Sequence, residues 1–196
     1  MGSIPPHGWT WQLQNRLAKM SSDQWHVHNA GVGGNTTALG LDRFMQDVNP
    51  WLPATVLIEF GINDCYIFEH AQIARVSVDE YVRNLREIVR LVRKANGMPV
   101  LIANHTMTSQ GGHSQGNAQT VQSNIQPYQQ ALRHHAAQWG VLVIDLPARM
   151  EIRQVNLLSF LAVDGVHLSE RGQAVYAAMV FEAINDLNLL GSANLC

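Results

Sequence analysis

The feature that most limits the fold of this chain is the regular alternation of short apolar runs with longer segments of helical period. Trp9, Leu13, Leu17 and Met20 recur at helical spacing, and a strand is expected at 24–29, ending in a glycine-rich turn. A helical stretch at 37–48 is broken by Pro50 and Pro53, and Thr55 to Phe60 follows as a buried strand closed by Gly61. Ser77 is placed to cap a helix that buries Val78, Tyr81, Val82, Leu85, Ile88, Val89 and Val92 and stops at Gly97 and Pro99. A buried strand at 99–103 leads into a polar loop at 104–124. A helix with Ile125, Tyr128, Leu132, Ala136 and Trp139 on one face then ends at Gly140, before a strand at 141–145. The last helix is expected from Ser169 to about Leu189. Strands separated by helices predict an α/β domain with a parallel sheet covered on both faces. In such sheets ligands bind beyond the carboxyl ends of the strands.

Composition narrows the function. A chain of 196 residues, 46% hydrophobic and without repeats or low-complexity linkers, is the size of one core, so residues 1–196 are expected to form a single domain. With a net charge of −2 and basic residues scattered along the chain, no stripe exists to neutralise phosphates, which argues against a nucleic-acid partner. No run approaches the roughly 20 apolar residues of a membrane span. The opening residues MGSIPPHGW lack the charged and apolar regions of a secretory signal, so the chain as given is expected to be soluble. Cys65 and Cys196 lie far apart, and a bridge between them is not expected.

Three short segments carry chemistry. In Asp164-Gly165-Val166-His167 an acid and an imidazole stand three residues apart before a capped helix, the arrangement of an acid-oriented general base. A histidine at a helix start also serves as a simple cap. Phe60-Gly61-Ile62-Asn63-Asp64 follows a buried strand, where the Asn63 amide is placed to donate to a developing oxyanion. A plain turn uses the same residue types. Asn29-Ala30-Gly31-Val32-Gly33-Gly34-Asn35-Thr36 opens a helix with exposed backbone N–H groups, a natural anion site. It lacks the full dinucleotide-binding spacing, and no acid follows at a second strand end. His105 and the loop after it occupy another strand end, where substrate lining and mobile surface are equal alternatives. His134-His135, and His26 with His28, lack the spacing of a helical metal site, so no metal ligand is assigned.

Taken in this order, each at a strand's carboxyl end, the three segments resemble the SGNH (GDSL) hydrolase family. The resemblance spans nearly the whole chain and rests on NAGVGGNTT, FGINDC and DGVHLSERG. It implies a flavodoxin-like, three-layer α/β/α fold with a central parallel sheet. It also implies serine-dependent hydrolysis of esters, with Asp164 and His167 completing a triad and Gly34 and Asn63 donating to the oxyanion. By position Ser3 is the nucleophile and the third oxyanion donor, although the family's Gly-Asp-Ser context is here Met1-Gly2-Ser3-Ile4. Asn35 and His105 are assigned to the substrate lining. The implied chemistry calls for no metal or organic cofactor.

The family's first strand lies inside the sheet, and this sequence begins where that strand should end. The chain is therefore expected to have a truncated start or to accept a strand from a partner, with self-association through the exposed sheet edge. As substrates the resemblance suggests acetyl or short acyl esters of small molecules or carbohydrates. Alternatives on the same scaffold are an inactive acyl- or sugar-binding module, a thioesterase and an acyltransferase.

Overall fold

The computed structural model describes residues 8–20, 25–109 and 115–189. Three parallel strands, β1 (Thr55–Glu59), β2 (Met98–Ala103) and β3 (Leu142–Asp145), lie in the order β1-β2-β3. The register pairs Leu57 with Val100 and Ile102 with Ile144.

Alternation along β2 builds the layers. Leu101 and Ala103 enter one core, with Ile58 and the apolar faces of α4 (Val78–Lys94) and α5 (Val121–Trp139). Val100 and Ile102 enter the other core, with Ile144, α1 (Trp9–Met20) and α8 (Glu170–Asp186). All four β2 side chains are wholly buried. Burying a Val, Leu or Ile side chain contributes roughly 1.5–3 kcal/mol, so β2 anchors both faces at once.

Local signals set the helix limits. The Ser77 hydroxyl accepts from the Glu80 N–H at 3.3 Å, and α4 carries Asp79 and Glu80 in its first turn and Arg93 and Lys94 in its last, matching the helix dipole. Gly140 ends α5 in the left-handed conformation.

The structure departs from the expected elements in four places. The helical stretch at 37–48 is two short helices, α2 (Thr37–Asp42) and α3 (Phe44–Asp47), separated at Arg43, whose guanidinium turns back to the Ala30 carbonyl and the Asn35 side chain. The loop at 104–124 ends earlier, because the Thr120 hydroxyl accepts from the Ser123 N–H and starts α5 at Val121. Two further helices, α6 (Leu146–Ile152) and α7 (Leu157–Phe160), fill the stretch after β3, capped by Asp145 and Asn156.

The fourth departure is that residues 25–30 form no strand. Their side chains do alternate, with Trp25 and Val27 half-buried against the second core and His26 and His28 exposed. The backbone, however, bonds to a side chain. Gln14 Nε2 donates to the Trp25 carbonyl at 2.9 Å, and the Val27 N–H donates to Gln14 Oε1 at 2.6 Å. A strand requires a neighbour's backbone, and among the described residues none pairs with this segment. Nor does any strand among the described residues pair with the edge of β1 opposite β2.

If Gln14 stands in for a strand neighbour, Gln14→Leu loses two hydrogen bonds and destabilises the protein by roughly 2 kcal/mol, read as a lower urea midpoint at unchanged slope. An unchanged midpoint would show that 25–30 is held by other means.

Candidate active site at the carboxyl ends of the strands

The segment after β1 is a tight turn. Gly61 has φ +128°, and Asn104 Oδ1 lies 2.8 Å from where a Cβ would stand, so both backbone and space demand glycine. Asn63 is half-buried, and its side-chain amide has no hydrogen-bond partner among the described residues. Beside it the Asp64 carboxylate is wholly buried. Its Oδ1 accepts from the Thr37 N–H at 2.9 Å and the Thr37 hydroxyl at 2.5 Å, and its Oδ2 from the Gly61 N–H at 3.1 Å. Asn84 Nδ2 donates to the same hydroxyl. Burial raises the Asp64 pKa against the lowering effect of these bonds. The carboxylate therefore links the turn after β1 to the first residue of α2.

That link places the glycine-rich loop ahead of α2. Gly34 is exposed at φ +79°, a conformation that only glycine takes without strain. Its N–H has no partner among the described residues, while its carbonyl accepts from the Arg75 guanidinium at 3.1 Å. Arg43 donates to Asn35 Oδ1 at 2.7 Å, so this oxygen of the expected lining residue is engaged within the loop.

Between α7 and α8 the acid and the imidazole meet. His167 Nδ1 lies 2.6 Å from Asp164 Oδ2, and Asp164 Oδ1 accepts from the Val166 N–H at 3.0 Å and the His167 N–H at 2.9 Å. Asp164 feels some desolvation. This is outweighed by the bond from the Val166 N–H, the bonds from the His167 ring and N–H, and the His167 charge, and the carboxyl falls to about 2. Nδ1 must carry the proton shared with an ionised acid, so Nε2 is left as the basic nitrogen. The His167 side chain is 82% exposed, which opens that nitrogen to a reactant.

His105 follows β2 and is buried rather than lining an open surface. Its Nε2 lies 2.8 Å from the Val166 carbonyl, and burial pushes its pKa down. Ser3 lies outside the described residues. A groove of about 600 Å³ opens between Thr106, Arg133, Asp145, Met150 and Leu157, and Gly34, Asn63, Asp164 and His167 are not among its walls. The linking role of Asp64 is not legible in the sequence, where its segment reads equally as a plain turn. The acid does cap a helix, but one that begins 27 positions earlier.

The lowered Asp164 pKa has a stability consequence with a definite sign. A carboxyl pulled from its ordinary 3.8 to about 2 contributes stability above the ordinary range and loses it as pH falls toward the folded value. Asp164→Asn should therefore be less stable than the parent at neutral pH, with the gap closing between about pH 4 and 2 in a series of urea titrations. A gap that stays constant down to pH 2 would contradict the hydrogen bonding described.

Comparison with known proteins bears on the fold and the family. Over 91 residues, 46% of this chain, the sequence is 33% identical to the lipoprotein YqeF of Bacillus subtilis (strain 168), and the match spans 37% of that protein's length. The fold superposes on the lipase/acylhydrolase from Enterococcus faecalis with a TM-score of 0.73 at 23% identity, covering 94% of this chain and 87% of the other. An acetyl xylan esterase gives a TM-score of 0.76 at 23% identity, covering 92% of each chain. An acetylxylan esterase from Geobacillus stearothermophilus gives 0.71 at 24% identity, covering 90% and 80%. At these identities the superpositions speak to the fold. The sequence itself matches the family model across residues 2–175, and the chain belongs to the GDSL-like lipase/acylhydrolase family.

Proposed function

We propose that this chain hydrolyses carboxylic esters of short acyl groups through a serine-bound acyl intermediate, with Ser3 as nucleophile, His167 as general base and Asp164 as its orienting acid. The observation that carries the reading is the 2.6 Å contact between His167 Nδ1 and Asp164, which leaves a basic, exposed Nε2.

As the Ser3 oxygen attacks the ester carbonyl, Nε2 takes its proton. The imidazolium then returns that proton to the departing alcohol, and water repeats the attack on the acyl enzyme under the same base. The tetrahedral oxyanion is received by the Gly34 N–H, the Asn63 amide and the Ser3 N–H. In support, the Gly34 and Asn63 donors make no other hydrogen bond among the described residues and need not give one up in the transition state. Acetyl esters of carbohydrates are the first substrates to try, because two of the proteins sharing the fold are acetylxylan esterases.

Hydrolysis of p-nitrophenyl acetate tests the reading one residue at a time. The parent should turn over, and Ser3→Ala and His167→Ala should each lower kcat by roughly 10³-fold or more. Equal inertness of all three would leave an acyl- or sugar-binding module on the family scaffold. Activity surviving in Ser3→Ala alone would remove Ser3 as the nucleophile.

A further inference from the structure

His105 lies in neither core by chemistry, yet it is almost fully enclosed. It stands two residues beyond the end of β2, 5% exposed. Its ring meets Phe160, the last residue of α7, edge-on at 5.7 Å between centroids, and Tyr176 of α8 at 6.1 Å. Between those two helices run residues 161–169, which carry Asp164 and His167. The loop is closed on itself by the bridge between Leu161 and Leu168 and by the Ala162 N–H donating to the His167 carbonyl at 2.7 Å. From the β2 side it is held by His105 and by the Thr108 N–H, which donates to the Gly165 carbonyl at 3.1 Å.

The hydrogen bond of the His105 ring to the Val166 carbonyl fixes its tautomer. A carbonyl oxygen only accepts, so the nitrogen 2.8 Å from the Val166 oxygen, Nε2, carries the hydrogen. Nδ1 has no hydrogen-bond partner among the described residues. Burial lowers the His105 pKa and keeps the ring neutral, with Nδ1 as an unshared acceptor.

The Val166 carbonyl belongs to the peptide unit whose N–H is that of His167, and this N–H donates to Asp164 Oδ1 at 2.9 Å. A peptide unit is planar, so gripping its oxygen sets the direction of its N–H and the position of the next Cα. One rigid plane is held by His105 at one end and by Asp164 at the other, and it carries His167.

We infer that His105 is a positioning residue for the Asp164–His167 pair, acting through the Val166–His167 peptide plane from the carboxyl end of β2. This deepens the hydrolase reading and rests on it for the kinetic readout alone, because the geometry of the pair is observable without turnover.

The test compares three variants of the full chain. His105→Gln keeps an amide donor at about the reach of Nε2, His105→Asn is polar but too short, and His105→Leu has no donor. The proton between His167 Nδ1 and Asp164 is followed as a far-downfield imidazole resonance in proton NMR without substrate, and kcat and KM are measured on p-nitrophenyl acetate. The expected result is that His105→Leu and His105→Asn lose the resonance and lower kcat by roughly ten- to a hundred-fold, with KM within about two-fold. His105→Gln should keep the resonance and recover kcat to within about three-fold of the parent.

If only one of His105→Asn and His105→Leu folds, it is compared with His105→Gln in the same way. A resonance retained in a folded His105→Asn or His105→Leu protein overturns the inference. So does its loss from His105→Gln, which would assign the effect to ring packing, or its absence from the parent. A parent that shows the resonance, loses it in His105→Asn and hydrolyses no ester supports the positioning role while contradicting the serine hydrolase reading.

Discussion

The candidate site depends on a strand with no side facing solvent. β2 is paired along both edges and buried on both faces, and such a strand moves only if both cores move with it. The functional segments are tied directly or at one remove to β2 or to its neighbour β1. Asn63 sits on the turn after β1, and Gly34 is tied to that turn through Asp64 and Thr37. His167 is tied to the carboxyl end of β2 through His105 and Thr108. In a parallel sheet the carboxyl ends of the strands share one edge, and the three segments follow or are tied to those ends.

Two buried polar links hold the arrangement, and they differ in kind. Asp64 satisfies three donors from two elements, so removing its carboxylate would orphan buried N–H groups at both the turn after β1 and the start of α2. His105 grips one carbonyl, and its second nitrogen has no hydrogen-bond partner among the described residues, a weaker link placed closer to His167. Both lie behind the exposed surface. His167, Gly34 and half-buried Asn63 present donors or a ring nitrogen that make no other hydrogen bond among the described residues. Groups with unused hydrogen-bonding capacity, set on rigid supports, are what preorganised stabilisation of a developing oxyanion requires.

Much of this was legible in the sequence, for physical reasons. β2 announces itself as a short apolar run because it is buried, half-buried β1 and β3 as short apolar runs set against the two cores, and α4 and α5 by apolar stripes with capping residues. Asp164 and His167 were legible because both lie within one short turn, where sequence distance is spatial distance. The segment at 25–30 has the alternation of a strand without its pairing, since alternation reports burial and only a neighbour's backbone makes a strand. The break at Arg43 and the buried state of His105 were not legible. Each depends on a partner distant in sequence: the Ala30 carbonyl for Arg43, and Val166, Phe160 and Tyr176 for His105. Helices α6 and α7 are short, and their cap signals at Asp145 and Asn156 are single residues without a long apolar period behind them.

The central claim is that a serine is activated by His167 at this edge of the sheet, and covalent labelling tests it most directly. The protein is treated with a serine-directed phosphonate, its intact mass is measured and the modified peptide is located, with His167→Ala treated alongside. The account predicts a single adduct on the peptide containing Ser3 in the parent and none in His167→Ala. No adduct in the parent, or an adduct on another serine, would contradict it.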